Sequence, residues 1–434
     1  MAFMKILGGG VTTRPGQWGA SCLFFSIDGI NIVVDCGVRL NTCESILPNL
    51  EWLKEKQVDA LFITHGHTDH VGAAPLLAAQ HPEAEICMTF QTAEIARILL
   101  ASNLELAEKL KHVSIFSREE YEKFFERVML VDFAEWQTLE KRGRQIQFCF
   151  WHAGHVRGAS SILVKDSQGN HLMITGDISL QAMPTVEAAK PLPTEFVNNK
   201  LTLVTEATNG GITLPDRVAE EQRLVERTRE VNARGGHVLI PAFSTGRAQD
   251  VAFVLTQAGI PVWIGGMANS ILHSDAFGPS FVHQLMNRLN CNLDLFAGSN
   301  RPKVVVTTHG MLAGGQSREL AYQWIENPKN AIFIPGYQAY GTLGRKILNA
   351  KAGKEIFFLE KNDRRKAQAS IERFRLSSHS DGSQLTKWIG SVNPQKVFVV
   401  HAEMSGATGL RKRLRNHGFQ NPILEAYNEN VCSL

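Results

Sequence analysis

Six consecutive residues, His65-Gly66-His67-Thr68-Asp69-His70, constrain this chain more than any other feature. They stand directly behind the apolar run Ala60-Leu61-Phe62-Ile63, so the sequence predicts a strand that ends in a loop carrying three imidazoles and a carboxylate. Neutral imidazole and carboxylate together suit zinc and similar divalent ions. A core accepts one partnered histidine readily, but this cluster would leave many polar atoms to satisfy. A solvated polar loop is the plain alternative.

The rest of the chain makes a globular α/β protein. At 434 residues it exceeds what one core ordinarily supports, so two domains are expected. Its formal charge of +3 makes any basic surface a local matter. Seven scattered cysteines, with no CxxC pair, point to free thiols in a reducing cytoplasm. No apolar stretch is long enough to span a membrane, and the N-terminal apolar region is too short for a signal peptide.

Short strands are expected at 23–27, 30–35 and 60–64, a helix at 71–80, helical structure over 91–128, and strands again at 146–151, 161–164 and 172–175. After a proline-bearing stretch from Met183-Pro184 to Pro193, the rhythm becomes strand, glycine-containing loop, helix. Strands at 237–241, 304–308 and 331–335 lead into such loops, which predicts a small parallel sheet with functional loops at its C-terminal edge. A last strand, 397–400, ends in His401.

Several apolar strands end in one acid or histidine: Asp35, Asp177, Glu206 and His401, with His155 just after another strand. Strand ends are where ligand groups converge in α/β architectures. Two metal ions need about this many ligands. His65, His67 and His155 would hold one zinc, Asp69, His70 and His401 the other, and Asp177 would bridge them.

In this order the residues resemble the metallo-β-lactamase fold, and Glu206, His379 in Ser378-His379-Ser380-Asp381, and His401 resemble three further motifs of its β-CASP branch. The resemblance spans essentially the whole chain and is closest to the compact bacterial and archaeal ribonucleases without KH domains. It implies an αββα sandwich, residues 1–206 and 361–434, interrupted by a β-CASP α/β domain at 207–360. It further implies a two-zinc ribonuclease that attacks the phosphodiester with a metal-held hydroxide in a cleft between the domains, leaving 5′-phosphate and 3′-hydroxyl ends. Asp69 would orient the attacking water, His379 would assist the leaving oxygen, and Asp35 would orient the metal loop. A histidine at position 401 favours RNA over DNA in that branch. Ser378 and Ser380 would touch substrate.

Other readings stay open beside this one: a hydrolase of a small ester or thioester, a DNA-directed nuclease, and an inert RNA-binding partner subunit. Asp35 could simply begin a turn, and the His379 segment could be no more than a helix cap. Arg247 and Arg345, in glycine-containing loops before helices, suit phosphate but could be ordinary surface arginines. The basic run from Lys361 to Arg375 could border an RNA backbone or be a solvated face. Trp18 is expected to pack. The sequence segment Ala207-Thr208-Asn209 and His309 depart from the branch's usual residues. The expected partners are RNA and, at most, a second copy of the chain; the expected location is the cytoplasm.

Overall fold

The computed structural model describes residues 2–13, 19–39, 46–197, 200–286, 289–290 and 303–434. Trp18, Cys43 and Cys291 lie outside these. The chain forms two compact units: residues 1–182, 186–213 and 379–434 make the first, and 183–185 with 214–378 the second.

The first unit is a sandwich of two seven-stranded sheets with helices on both outer faces. One sheet runs, in order, Val431–Ser433, Phe3–Gly8, Cys22–Ile27, Ile30–Val34, Ala60–Phe62, Glu85–Met88 and Val128–Leu130. It is antiparallel through its first four strands and parallel from Ile30–Val34 onward. The other runs Ile423–Glu425, Lys396–Val400, Leu201–Glu206, His171–Ile174, Ser160–Lys165, Arg144–His152 and Trp136–Lys141. Here the first four strands are mutually parallel and the rest antiparallel.

Alternation within each strand supplies the layers. Met4, Ile6, Phe25, Phe62, Phe148, Phe150, Ile162 and Phe398 meet between the sheets. The opposite faces pack outward, Val33 and Leu61 against Leu77 and Leu100 on one side, Leu203 and Val399 against Leu385 and Leu410 on the other.

The second unit has a six-stranded sheet in the order Leu289–Asn290, Val262–Gly265, Val304–Thr307, Val238–Pro241, Ala331–Ile334, Ser370–Arg373. Every neighbouring pair in it is parallel. The strands are almost wholly apolar, as expected where helices cover a parallel sheet. Ser370–Arg373 joins this sheet, and the second compact unit runs to Ser378.

Two helical expectations change in detail. The region 91–128 divides into Phe90–Leu110 and Arg118–Glu126, because Lys111 takes a left-handed conformation that ends the first helix. Ser117 then caps the second with a reciprocal bond to Glu120. The segment 71–80 is a short turn, Thr68–Val71, followed by Ala74–Gln80 with Pro75 in its first turn. The basic run is partly a hairpin, Glu355–Phe358 with Asp363–Lys366. Lys361, Arg364 and Arg365 there pair with Glu319, Glu355 and Glu326.

Candidate metal centre

The first unit brings its polar strand ends to one place. Asp35 follows Ile30–Val34, the hexapeptide follows Ala60–Phe62, Asp177 follows His171–Ile174, Glu206 ends Leu201–Glu206, and His401 follows Lys396–Val400. Each is at the C-terminal end of a strand in the parallel part of its sheet, so the loops open on the same edge. His155 comes from the connection between two antiparallel strands of the second sheet.

Asp35, His155 and His401 all have positive φ, 62°, 57° and 44°. Non-glycine residues rarely adopt this region, and such strain concentrates at functional sites. Gly37 shows a different requirement: a β-carbon there would sit 1.7 Å from Asp69 O, so only glycine lets the hexapeptide loop pack this closely.

Four atoms make the first ligand group: His65 Nε2, His67 Nδ1, His155 Nε2 and an oxygen of Asp177. His67 Nδ1 lies 3.0 Å from His65 Nε2 and 3.2 Å from His155 Nε2. Asp177 Oδ2 lies 3.5 Å from His65 Nε2 and 3.4 Å from His155 Nε2. Tetrahedral zinc with bonds of about 2.0–2.1 Å has ligand atoms about 3.3 Å apart. The spacing therefore fits such an ion.

Asp69, His70 and His401 form a second group. Asp177 reaches it with its other oxygen, Oδ1, which lies 3.5 Å from His70 Nε2 and 3.8 Å from His401 Nε2. Oδ1 is buried and accepts no hydrogen bond among the described residues, a costly state for a carboxylate unless a cation is its partner. A third group joins Asp177, Glu206 and His379.

The electrostatics agree with metal binding. Burial, then the neighbouring imidazoles, hold His65 and His70 well below the usual histidine range, so both are neutral donors. Burial raises Asp177 to about 6 against the lowering effect of His401 and His379.

The ligands are themselves held. Asp35 accepts the Thr64 N–H at Oδ1 and the Thr64 hydroxyl at Oδ2, both at 2.8 Å, and its Oδ2 lies 2.7 Å from His70 Nδ1. That contact fixes the His70 ring with Nε2 toward Asp177. Ser21 does the same for His401, its Oγ 2.9 Å from Nδ1, while the Ser21 N–H donates to Asp69 O at 2.8 Å. Sequence reasoning misses Ser21 and Thr64, because a hydroxyl beside a cysteine or ahead of a histidine carries no motif of its own.

His379 sits beside these groups, its Nδ1 2.8 Å from Glu206 Oε1 and 3.9 Å from Asp177 Oδ2. Burial opposes a charge on this ring, but the carboxylates of Glu206, Asp177 and Asp69 outweigh it and raise the pKa to about 9. Glu206 is fully buried and also accepts the N–H groups of Ile178 and Thr208. Asp381 caps the helix Gly382–Val392 as a capping-box residue, so the segment is a cap and also carries His379 toward the acids. The departing segment Ala207-Thr208-Asn209 takes part as well: Asn209 Nδ2 donates to His379 O at 3.3 Å.

The remaining expected site residues lie elsewhere or are turned inward. Ser380 is buried, its Oγ accepting the Leu180 N–H. In the second unit Arg247 is buried rather than solvent-facing, with Nη2 donating to Ser378 Oγ at 3.2 Å. Burial, then the charge of Arg217, lowers it to about 9, and its buried Nε and Nη1 have no hydrogen-bond partner among the described residues. Arg345 is half-buried in the first turn of Leu343–Leu348. Cys22, Cys36, Cys87, Cys149 and Cys432 are free thiols, and no helix among the described residues is long and apolar enough to cross a membrane.

Comparison with known proteins agrees with this architecture. The metallo-β-lactamase superfamily pattern matches residues 15–191, the β-CASP domain 179–347, and the Zn-dependent metallo-hydrolase RNA specificity domain 364–424. The chain is 28% identical to "Probable RNase MJ4" of Methanocaldococcus jannaschii, over 96% of this chain and 97% of that protein. It is 29% identical to "Cleavage and polyadenylation specificity factor subunit 3-I" of Arabidopsis thaliana and to "Transcription termination factor FttA" of Methanocaldococcus jannaschii. Of these two longer relatives it spans 59% and 65%. A crystal structure of a protein of unknown function from Enterococcus faecalis V583 shares the fold, with a TM-score of 0.60 at 12% identity, over the whole of both chains. With metallo-β-lactamase, β-CASP and RNA-specificity domains in sequence around this histidine–aspartate cluster, the chain belongs to the β-CASP family of metallo-β-lactamase-fold proteins.

Proposed function

We propose that this chain is a zinc-dependent ribonuclease, holding two zinc ions and hydrolysing RNA phosphodiesters in the cytoplasm to leave 5′-phosphate and 3′-hydroxyl ends. The observation that carries the reading is Asp177: its two oxygens face two separate histidine groups, as a bridging carboxylate would. His65, His67 and His155 hold one ion, and Asp69, His70 and His401 the other. A metal pair bound there supplies a Lewis acid for the phosphoryl oxygens and a nucleophile from water at neutral pH. Asp69 orients the attacking water. His379, positioned by Glu206, donates a proton to the departing 3′-oxygen. The relatives' names, with RNase and cleavage and polyadenylation among them, support RNA as the substrate.

The test is digestion of one RNA labelled at either end, with and without a 5′-monophosphate, beside a thioester panel. Cleavage of the RNA that stops on chelation and returns with zinc is expected, and it should vanish in Asp69→Ala, with the fold retained. Full activity in that variant, or turnover of thioester alone, would overturn the reading. Internal fragments would mark endonuclease action and mononucleotides 5′-exonuclease action.

A further inference from the structure

The helix Phe90–Leu110 follows Glu85–Met88, the parallel neighbour of the strand that leads into the hexapeptide, so it starts at the edge where the metal ligands gather. Its first two turns meet both loops that supply the first ligand group. On one side Ile95 packs under Gly66, the residue between His65 and His67: a β-carbon on Gly66 would lie 2.7 Å from Ile95 Cγ2. On the other, Thr89 Oγ1 and Thr92 Oγ1 each donate to Gly158 O, at 2.8 and 2.9 Å. Gly158 stands three residues after His155, in the connection between Arg144–His152 and Ser160–Lys165.

Capping the helix does not require these bonds. The cap is the Thr92 N–H donating to Thr89 Oγ1 at 3.3 Å, which uses a lone pair and no hydroxyl proton. A threonine inside a helix ordinarily turns its hydroxyl back on its own carbonyls, as Thr228 does toward Leu224 O and Thr256 toward Ala252 O. Thr89 and Thr92, both fully buried and with hydroxyl oxygens 2.9 Å apart, instead converge on one carbonyl of another loop, whose two lone pairs suffice for both. The loop they hold is strained: Gly154, His155 and Gly158 have φ of 71°, 57° and 81°. A histidine persists in that region only where its surroundings over-determine it. The far end of the loop is fixed separately, Ser160 giving its N–H and its hydroxyl to Thr64 O at 2.9 and 3.0 Å. The turn itself rests on the threonines, so closely that a β-carbon on Gly158 would come within 2.5 Å of Thr92 N.

We infer that Thr89 and Thr92 are positioning residues for the first zinc ion and not the second. They hold the His155 loop at the separation from the hexapeptide that leaves His155 Nε2 3.2 Å from His67 Nδ1, close enough to share one ion. Such a site tolerates displacements of only about 0.5 Å, which a loop released to ordinary backbone angles would exceed. The second ion has its own supports, Asp35 behind His70 and Ser21 behind His401, and neither lies on this helix. The two ions are therefore held by separate parts and can be lost one at a time. The inference rests on the two-zinc reading and adds to it a division of labour among the residues behind the ligands.

The test counts zinc released from the full, metal-loaded chain as a chelator is added. The wild type should give up two ions per chain in two steps, and His155→Ala, which deletes a ligand, marks the step belonging to the first ion. Thr92→Val keeps the shape of the side chain and leaves Thr89 Oγ1 to cap the helix. It should weaken that same step about 10–100-fold and leave the other unchanged. Thr92→Ser, which keeps the hydroxyl, should release zinc as the wild type does, and Ser21→Ala should weaken the other step instead. Wild-type release from Thr92→Val, with or without a lower urea midpoint, would overturn the inference and leave the two-zinc reading intact. Equal weakening of both steps would overturn it too, in favour of a general loosening of the centre. A wild-type chain that holds fewer than two zinc ions would overturn the two-zinc reading and the inference with it.

Discussion

Ser21 Oγ lies 2.9 Å from His401 Nδ1, and the two residues are 380 positions apart in the chain. The contact fixes which ring nitrogen of His401 faces Asp69 and Asp177, whose carboxylates each lie 3.8 Å from Nε2. Ser21→Ala is therefore expected to weaken metal binding and activity about 10–100-fold, the usual effect of removing a partner that orients a ligand. Competition against a zinc chelator measures this directly. Ser21→Thr should recover most of the loss, and an unchanged affinity in Ser21→Ala would show that His401 needs no such support.

Glu206 and His379 form a buried acid–imidazole pair at 2.8 Å. Glu206→Gln keeps the shape but removes the charge that favours a protonated ring, so kcat should fall about 10²-fold or more while KM and metal content hold. Circular dichroism should stay native. A loss confined to stability would mean that Glu206 only anchors the Ile178 and Thr208 backbone.

Phe62 fills the space between the two sheets, its ring 4.6 Å from Phe148 and 5.7 Å from Phe150. It is also the strand residue nearest the hexapeptide whose side chain enters that layer. Phe62→Ala should cost about 3–5 kcal/mol through reduced burial and the cavity left behind. Urea unfolding should show this in the transition of the first unit. Phe62→Leu should lose markedly less.

His237 gives a pH dependence away from the metal centre. Its Nδ1 accepts the Lys303 N–H at 3.1 Å and its ring stacks on Trp324. Burial, then the Lys303 charge, lower its pKa below the usual histidine range. The unfolded chain thus takes up a proton before the folded one, and stability should fall as pH drops below about 6.5, the unperturbed histidine value. His237→Phe keeps the stack and should flatten that fall. Equal slopes in urea midpoints measured between about pH 8 and about pH 5.5 would remove His237 from the explanation.

The fold and the ligand set differ in how legibly the sequence carries them. Apolar runs ending in one acid or histidine place Asp177, Glu206 and His401, because a strand long enough to be buried on both faces leaves its terminal polar residue little place but an edge. The amphipathic strand Trp136–Lys141 and the first strand, Phe3–Gly8, escape notice. One is short of apolar residues and the other is paired with the far end of the chain. The capping box at Ser117 and Glu120 is visible in the sequence, yet the long apolar periodicity around it hides the break at Lys111. The left-handed conformations of Asp35, His155 and His401 have only a faint sequence signal, since glycine dominates that region and Asn, Asp and His are merely enriched in it. Burial of Arg247 is silent: a glycine loop before a helix looks the same whether its arginine points out or in.

The backbone N–H of His401 donates to Gly9 O at 2.6 Å, and the first strand pairs with the last. Synthesis proceeds from one end, so a ribosome releases the hexapeptide long before it releases the histidine that completes the second ligand group. Until then the N-terminal strand has no edge partner at Val431–Ser433 and the Gly9 carbonyl no His401 to receive. The second ligand group is thus a late product of maturation, completed only when Lys396–Val400 has delivered His401 to the Gly9 carbonyl.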